Sequence, residues 1–229
     1  ILDDFRIRES LKTVKYCLSR GGSIVLISHL GRPKGKIQQS LSLDPISFFL
    51  EDLLDLDIMF SNDCISQDAI NLSSQMIPGE IHLLENLRFY NEETENNLEF
   101  AKQLSLHGDV FINDAFATCH RSHASNVGIS KFFKNKSLGF LIKKELEYLD
   151  SAIKKSSLPS ILILGGSKVI DKIDFIKKMI DKNDHILIGG KMAFAFLKAQ
   201  NQNIGANVFD DANINTAKQI LDYAELNNV

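Results

Sequence analysis

The sequence predicts an α/β fold with parallel sheets, and three observations carry that prediction. Short apolar runs rich in β-branched residues alternate with segments of helical spacing along the chain. Strands that alternate with helices call for a parallel sheet with crossover connections. The apolar runs stop abruptly at loops marked by Gly, Pro or Asn, as short buried strands do. Composition also changes near residue 142, which divides the chain into two domains.

Each element can be justified in turn. Ile7, Leu11, Val14 and Leu18 stand at helical spacing, so Arg6–Arg20 reads as an amphipathic helix closed by Gly21-Gly22. The strand Ser23–Ser28 follows. Pro45 opens a helix through about Leu56, with Ile46, Phe49, Leu50 and Leu53 on one face. Ile58–Phe60 reads as a short strand, and Ser66–Met76 as a helix stopped by Pro78-Gly79. Glu80–Glu85 is a strand that runs into Asn86-Leu87-Arg88, Leu98–Leu106 is a helix, and the strand Asp109–Asn113 runs into a long polar loop. Lys143–Lys154 carries Leu146, Leu149 and Ile153 on one side and reads as a helix joining two domains. Beyond it, the strands Ser160–Leu164 and His185–Ile188 each end in a glycine pair, Gly165-Gly166 and Gly189-Gly190. The expected division is 1–142, a joining segment 143–157, and 158–229.

Composition narrows the function classes. A net charge of -3 argues against a general nucleic-acid binder, so any basic site must be a local cluster. Cys17, Cys64 and Cys119 show no CxxC pairing, which fits a reducing compartment, and a cytoplasmic location is expected. No apolar run reaches membrane-spanning length, and the start lacks a signal-peptide pattern. Opening on Ile1 without Met, the chain is expected to begin inside a longer protein.

Chemistry gathers at strand ends. The run Ile24–Ser28 passes into a loop carrying His29, Arg32, Lys34 and Lys36. Ligands of open α/β sheets sit beyond the carboxyl ends of the strands, and Arg offers a planar fork for phosphate or carboxylate. Arg88 follows a second strand, while His120, Arg121 and His123 crowd the loop after a third. Parallel strands share a carboxyl edge, so these cations converge if their strands are neighbours. The alternatives are a solvated turn, arginines paired with Glu85 or Glu92, or a zinc site on His120 and His123 whose spacing fits no familiar ligand frame. In the second domain, Lys168-Val-Ile-Asp-Lys172 is read as opening a helix just after Gly165-Gly166. A helix N-terminus favours phosphate, and an i, i+4 lysine pair puts both ammonium groups on one face. Neither GxxxxGK[ST] nor GxGxxG is present.

Five motifs then occur in a recognisable order. They are Ser28-His-Leu-Gly-Arg-Pro-Lys-Gly35, Leu84-Glu-Asn-Leu-Arg-Phe89, Asn113-Asp-Ala-Phe116 with His120-Arg-Ser-His-Ala-Ser125, Lys144-Glu-Leu-Glu-Tyr-Leu149, and Leu164-Gly-Gly-Ser-Lys-Val169 with Asp171-Lys-Ile173. Over essentially the whole chain this resembles the phosphoglycerate kinases.

The resemblance implies two Rossmann-like parallel-sheet domains across a hinged cleft, the second incomplete in this chain. It implies reversible phosphoryl transfer between 1,3-bisphosphoglycerate and ADP, giving 3-phosphoglycerate and ATP. Arg6, His29, Leu30, Gly31, Arg32, Arg88 and Arg121 would then hold the acidic substrate, with Arg6 and Lys168 catalytic. Gly165, Gly166, Lys168, Lys172, Gly189 and Gly190 would hold the nucleotide, whose Mg2+ is contacted outside this segment. The family's opening strand would precede Ile1. Lys191 stands where the family usually has a small residue. A monomer is expected, with no nucleic-acid or membrane partner and no catalytic role for the cysteines. The alternative is a truncated, inactive anion-binding fragment of the same fold.

Overall fold

The computed structural model describes residues 4–153 and 159–229. The chain forms two compact units, Ile1–Leu146 and Glu147–Val229.

In the first unit, helix α1 (Phe5–Ser19) leads into strand β1 (Ile24–Leu26), followed by α2 (Asp44–Leu54), β2 (Ile58–Ser61), α3 (Gln67–Ser74) and β3 (Ile81–Leu84). The short α4 (Asn91–Thr94) and α5 (Leu98–Ser105) precede β4 (Val110–Asn113) and β5 (Asn135–Leu138). All pairings are parallel: β1-β3-β2 make one sheet and β4-β5 another. The predicted elements appear at nearly their expected positions. Two further ones, α4 and β5, carry no apolar pattern; β5 is exposed along its length and exists through its ladder with β4.

Central β3 is buried at every position because both its faces are covered. Ile81 and Leu83 pack with Ile24, Leu26, Ile58 and Phe60 against Val14 of α1 and Leu50 of α2. Leu84 points the other way, with Val25 and Ile27, into a core holding Ala69, Phe100, Leu104 and Ile129. The predicted α1 stripe, Ile7, Leu11, Val14 and Leu18, faces the first of these cores. Burying each large aliphatic side chain contributes about 1.5–3 kcal/mol.

Helix α6 (Phe140–Ile153) begins three residues before the predicted joining helix, because Phe140 N–H donates to Thr13 Oγ1 and Ile142 N–H to Asp114 Oδ1. The rest of the predicted joining segment, 154–157, lies outside the described residues.

The second unit pairs β6 (Ile161–Gly165) with β7 (His185–Gly189) and adds α7 (Ile173–Ile180), α8 (Ala193–Ala199) and α9 (Asp211–Leu226). Val169, Ile176, Met192, Phe196 and Ile220 form its core. Ile161, Ile163 and Leu187, on alternate strand positions, are exposed. Among the described residues, no helix is long and apolar enough to cross a membrane.

Candidate functional site

At the end of β3 two polar side chains turn inward and fix the loop after β1. Glu85 accepts from Ser42 Oγ at 2.6 Å, Leu43 N–H at 2.8 Å and Asn86 N–H at 2.6 Å. Asn86 is 0% exposed. Its Oδ1 accepts from Leu30 N–H at 3.2 Å and Arg88 N–H at 3.1 Å, and its Nδ2 donates to the carbonyls of Leu30 at 2.8 Å and Leu41 at 2.9 Å. One buried amide therefore sets both the His29–Arg32 loop and the turn carrying Arg88. Gly31 sits at a φ of 64°, and a Cβ there would lie 2.8 Å from Leu41 Cδ2. Glu85, spent on these bonds, is not the partner of Arg88.

Arg88 is itself buried, at 9% exposure. Nη1 donates to the Gly31 carbonyl at 2.8 Å, while Nε is buried without a hydrogen-bond partner. Burial lowers its pKa first; Arg121 pushes the same way, Glu93 opposes, and Arg32 adds a further lowering. His29 is pushed down to about 4, chiefly by burial and then by Arg88, Arg121, His123 and Arg6. Arg6, Arg88, Arg121 and His123 thus all bear electrostatically on His29, and Arg32 and Arg121 on Arg88. At neutral pH His29 is uncharged and can donate or accept a hydrogen bond.

The route to this convergence differs from the expected one. Strand β4 pairs with β5, not with β1 or β3. Arg121 arrives instead on the long loop, which Asn126 holds by donating to the carbonyls of Thr118 at 2.9 Å and Arg121 at 3.0 Å. Asn113, at the end of β4, donates in turn to Asn126 Oδ1 at 2.7 Å. His123 Nδ1 lies 3.4 Å from Glu93 Oε1, and Arg121 Nε donates to His120 Nε2 at 3.3 Å. The described residues hold no group of three or more His, Cys, Asp or Glu that could bind a metal ion. Cys64 is fully buried, and burial pushes its thiol up, away from reactivity.

In the second unit Gly165 and Gly189 stand opposite each other in the β6–β7 ladder. Met192 N–H donates to the Gly166 carbonyl at 2.8 Å, and Gly190, at a φ of 67°, would place a Cβ 3.2 Å from Gly166 N and O. Two turns this close leave room for backbone alone. A Cβ on Gly166 would lie 3.4 Å from Lys172 Nζ, so that ammonium returns over the glycine turn. The Asp210 carboxyl is held below its ordinary value, first by hydrogen bonds from Asn213 and last by the charge of Lys168.

The expected helix start at Lys168 is corrected by the structure. A 3-10 turn, Ile170–Lys172, comes first and the α-helix begins only at Ile173. Asn213, on α9, is the cause: its Oδ1 accepts from Val169 N–H at 3.1 Å and Ile170 N–H at 3.4 Å. Lys168 and Lys172 are therefore not an i, i+4 pair on a regular helix, and two of the N–H groups expected to face phosphate are occupied. Lys191 Nζ lies 5.9 Å from the Phe209 ring centre, exposed to solvent.

A family model described as phosphoglycerate kinase matches residues 1–229. The chain belongs to that family. It is 44% identical to the phosphoglycerate kinase of Prosthecochloris aestuarii, covering 100% of this chain and 58% of the relative. With the phosphoglycerate kinase of Acidobacterium capsulatum it shares 45% identity over 98% of this chain and 57% of that one. The phosphoglycerate kinase structure from Coxiella burnetii superposes with a TM-score of 0.85 at 34% identity, covering 99% of this chain and 57% of its own. The phosphoglycerate kinase from Pyrococcus horikoshii gives 0.76 at 31% identity, covering 100% and 57%. The chain thus spans a little over half the length of the curated relatives it matches.

The buried bonding of Asn86 and Glu93 escapes a sequence reading. Glu93 lies in Glu92-Glu93-Thr94-Glu95, which looks like a solvated acidic run, yet its side chain is only 2% exposed.

Proposed function

We propose that the chain is part of a glycolytic kinase that transfers a phosphoryl group reversibly between 1,3-bisphosphoglycerate and ADP. The first unit binds 3-phosphoglycerate or its acyl phosphate through Arg6, His29, Leu30, Gly31, Arg32, Arg88 and Arg121. The second binds ADP or ATP at Gly165, Gly166, Gly189 and Gly190, with Lys168 and Lys172 meeting the phosphates. One observation carries the reading most directly: a buried guanidinium, Arg88, keeps an unpartnered Nε among Arg32, Arg121 and His29. Such a cluster repels itself until an anion is added.

In the direction of ATP use, a carboxylate oxygen of 3-phosphoglycerate attacks the γ-phosphorus. The bond from phosphorus to the ADP oxygen breaks, and the acyl phosphate forms. The nucleophile is already anionic, so no general base or covalent intermediate is required. Catalysis then rests on positioning and charge neutralisation, which cationic side chains supply. Arg6 steadies charge on the group in transfer, and Lys168 does so from the nucleotide side. Mg2+ carried by the nucleotide supplies further neutralisation, and none of the residues named here is assigned to hold it. Water must be excluded while the acyl phosphate exists. The same reading expects a cytoplasmic monomer.

The test is ATP-dependent phosphorylation of 3-phosphoglycerate by the intact protein, coupled to a dehydrogenase readout. Turnover at an ordinary kinase rate supports the proposal. Binding of 3-phosphoglycerate without turnover would reduce the chain to a substrate-binding piece of the fold, and absence of both overturns the reading.

A further inference from the structure

Asn213 lies on the first turn of α9, is only 7% exposed, and has both ends of its side chain occupied. Nδ2 donates to Asp210 Oδ1 at 2.7 Å, and the backbone N–H of Asn213 donates to the same oxygen at 2.8 Å. Its Oδ1 accepts from Val169 N–H at 3.1 Å and Ile170 N–H at 3.4 Å, both more than forty residues away along the chain. The first N–H groups of a helical turn find no partner within it. Val169 is 0% exposed, so solvent does not serve as that partner. Helix α9 supplies the acceptor instead, and it is well anchored: its Ala217 and Ile220 are buried in the same core as Val169.

The segment held in this way is bracketed by two lysines. Lys168 directly precedes Val169. Lys172 N–H donates to the Val169 carbonyl at 2.9 Å, and its Nζ returns over Gly166. Val169 is therefore fixed from both sides, its N–H by Asn213 and its carbonyl by Lys172. Without the Asn213 acceptor the 3-10 turn is free to relax into an extension of α7 back to Lys168. The i, i+4 spacing of a regular helix would then set the two ammonium groups side by side.

We propose that Asn213 is a positioning residue for the phosphate end of the nucleotide site: it fixes the turn that presents Lys168 and Lys172 separately. This rests on the reading of the second unit as the ADP or ATP site. Because Asn213 acts through the two lysines, its influence falls on the phosphates of the ligand and not on the nucleoside. That separates positioning from a merely structural role, since general loosening of the unit would weaken both parts of the ligand.

Binding of ADP and of adenosine is measured by titration calorimetry on the intact protein, alongside the melting temperature. Wild type is compared with Asn213→Ala, Lys172→Ala and the double variant. Asn213→Ala should weaken ADP binding about tenfold and leave adenosine binding as it is in the wild type. In the Lys172→Ala background the same change should cost ADP much less, because residues that act through one another are not additive. A lower melting temperature with ADP binding unchanged or tighter overturns the inference, and so does an equal loss for ADP and adenosine. In both cases the nucleotide reading stands. A wild type that binds neither ligand overturns both. Should Asn213→Ala fail to fold, Asn213→Ser decides: its shorter side chain must lower the preference for ADP over adenosine, and an unaltered preference overturns the inference.

Discussion

Arg88 Nη1 donates to the Gly31 carbonyl at 2.8 Å, a bond that ties the turn after β3 to the loop after β1. It orients the guanidinium and leaves Nε buried without a partner. An unmet buried donor costs about 1–3 kcal/mol, part of which an anion placed at Nε would recover. On the proposed reading, the guanidinium is oriented ahead of its ligand.

Arg121 reaches this site on a loop that contributes little to the core, so its removal should be felt in binding. Arg121→Ala is expected to weaken 3-phosphoglycerate binding by about 1–3 kcal/mol, measured by titration calorimetry on the intact protein. An unchanged affinity would remove Arg121 from the cluster.

Asn86 makes its bonds at 0% exposure, to two separate segments of the loop after β1. Asn86→Ala leaves the Leu30 and Leu41 carbonyls without that partner and should cost on the order of 2 kcal/mol or more in stability. Denaturant titration measures the loss. Anion affinity should fall along with it, because the His29–Arg32 loop is no longer held.

Acid should weaken the first unit through a buried chain that lies apart from the anion cluster. The Cys64 carbonyl can only accept, so His107 Nε2 donates to it, at 3.1 Å. His107 Nδ1 then accepts from Ser73 O–H at 2.7 Å, and the Ser73 oxygen accepts from His82 Nδ1–H at 2.8 Å. His82 Nε2 accepts from Ser61 O–H at 2.8 Å, completing a chain of neutral groups. Burial, and then His107, push His82 down to about 4. Burial lowers His107 as well, against the opposing pull of its bond to Cys64 and of Asp63. With folded values below the ordinary one, the unfolded chain binds more protons, so stability falls as pH drops from 6.5 towards about 4. Denaturation midpoints across that window should show the loss, and a Ser73→Ala chain should already be weaker at pH 7.

Gly190 combines a φ of 67° with a would-be Cβ only 3.2 Å from Gly166 backbone atoms. Gly190→Ala should therefore destabilise the second unit by at least about 1–2 kcal/mol, the usual penalty of a left-handed residue. Nucleotide affinity should fall with it. A variant with unchanged melting and unchanged ADP binding would show that the two turns need no such proximity.

Arg6 is exposed on the first turn of α1, and its charge helps to lower the His29 pKa. Arg6→Ala should lower kcat of the intact protein far more than it raises KM for 3-phosphoglycerate. A change in KM alone would make it a binding residue.

Much of this was legible beforehand because local chemistry settles it. The spacing of Ile7, Leu11, Val14 and Leu18, Ser66 at the start of α3, and apolar runs ending in polar loops place helices and strands to within a few residues. Strand ends are also where His29, Arg32 and Arg88 were expected to carry an anion site. By contrast, β5 is exposed at every position and has no pattern of its own. Its identity as a strand depends on the ladder with β4.

The sequence by itself determined a parallel α/β chain, its glycine turns and the family, since these depend on neighbours in the chain and on motifs in order. Tertiary structure alone decided the rest. Asn213, some 44 residues from Val169, moves a helix start to Ile173; the charge of Arg121 bears on Arg88 though β4 does not pair with β1 or β3; and Glu93 is buried from within an acidic run. Each depends on a partner brought close only by the folded backbone. Desolvation and charge act through distance in space, and separation along the chain does not encode it.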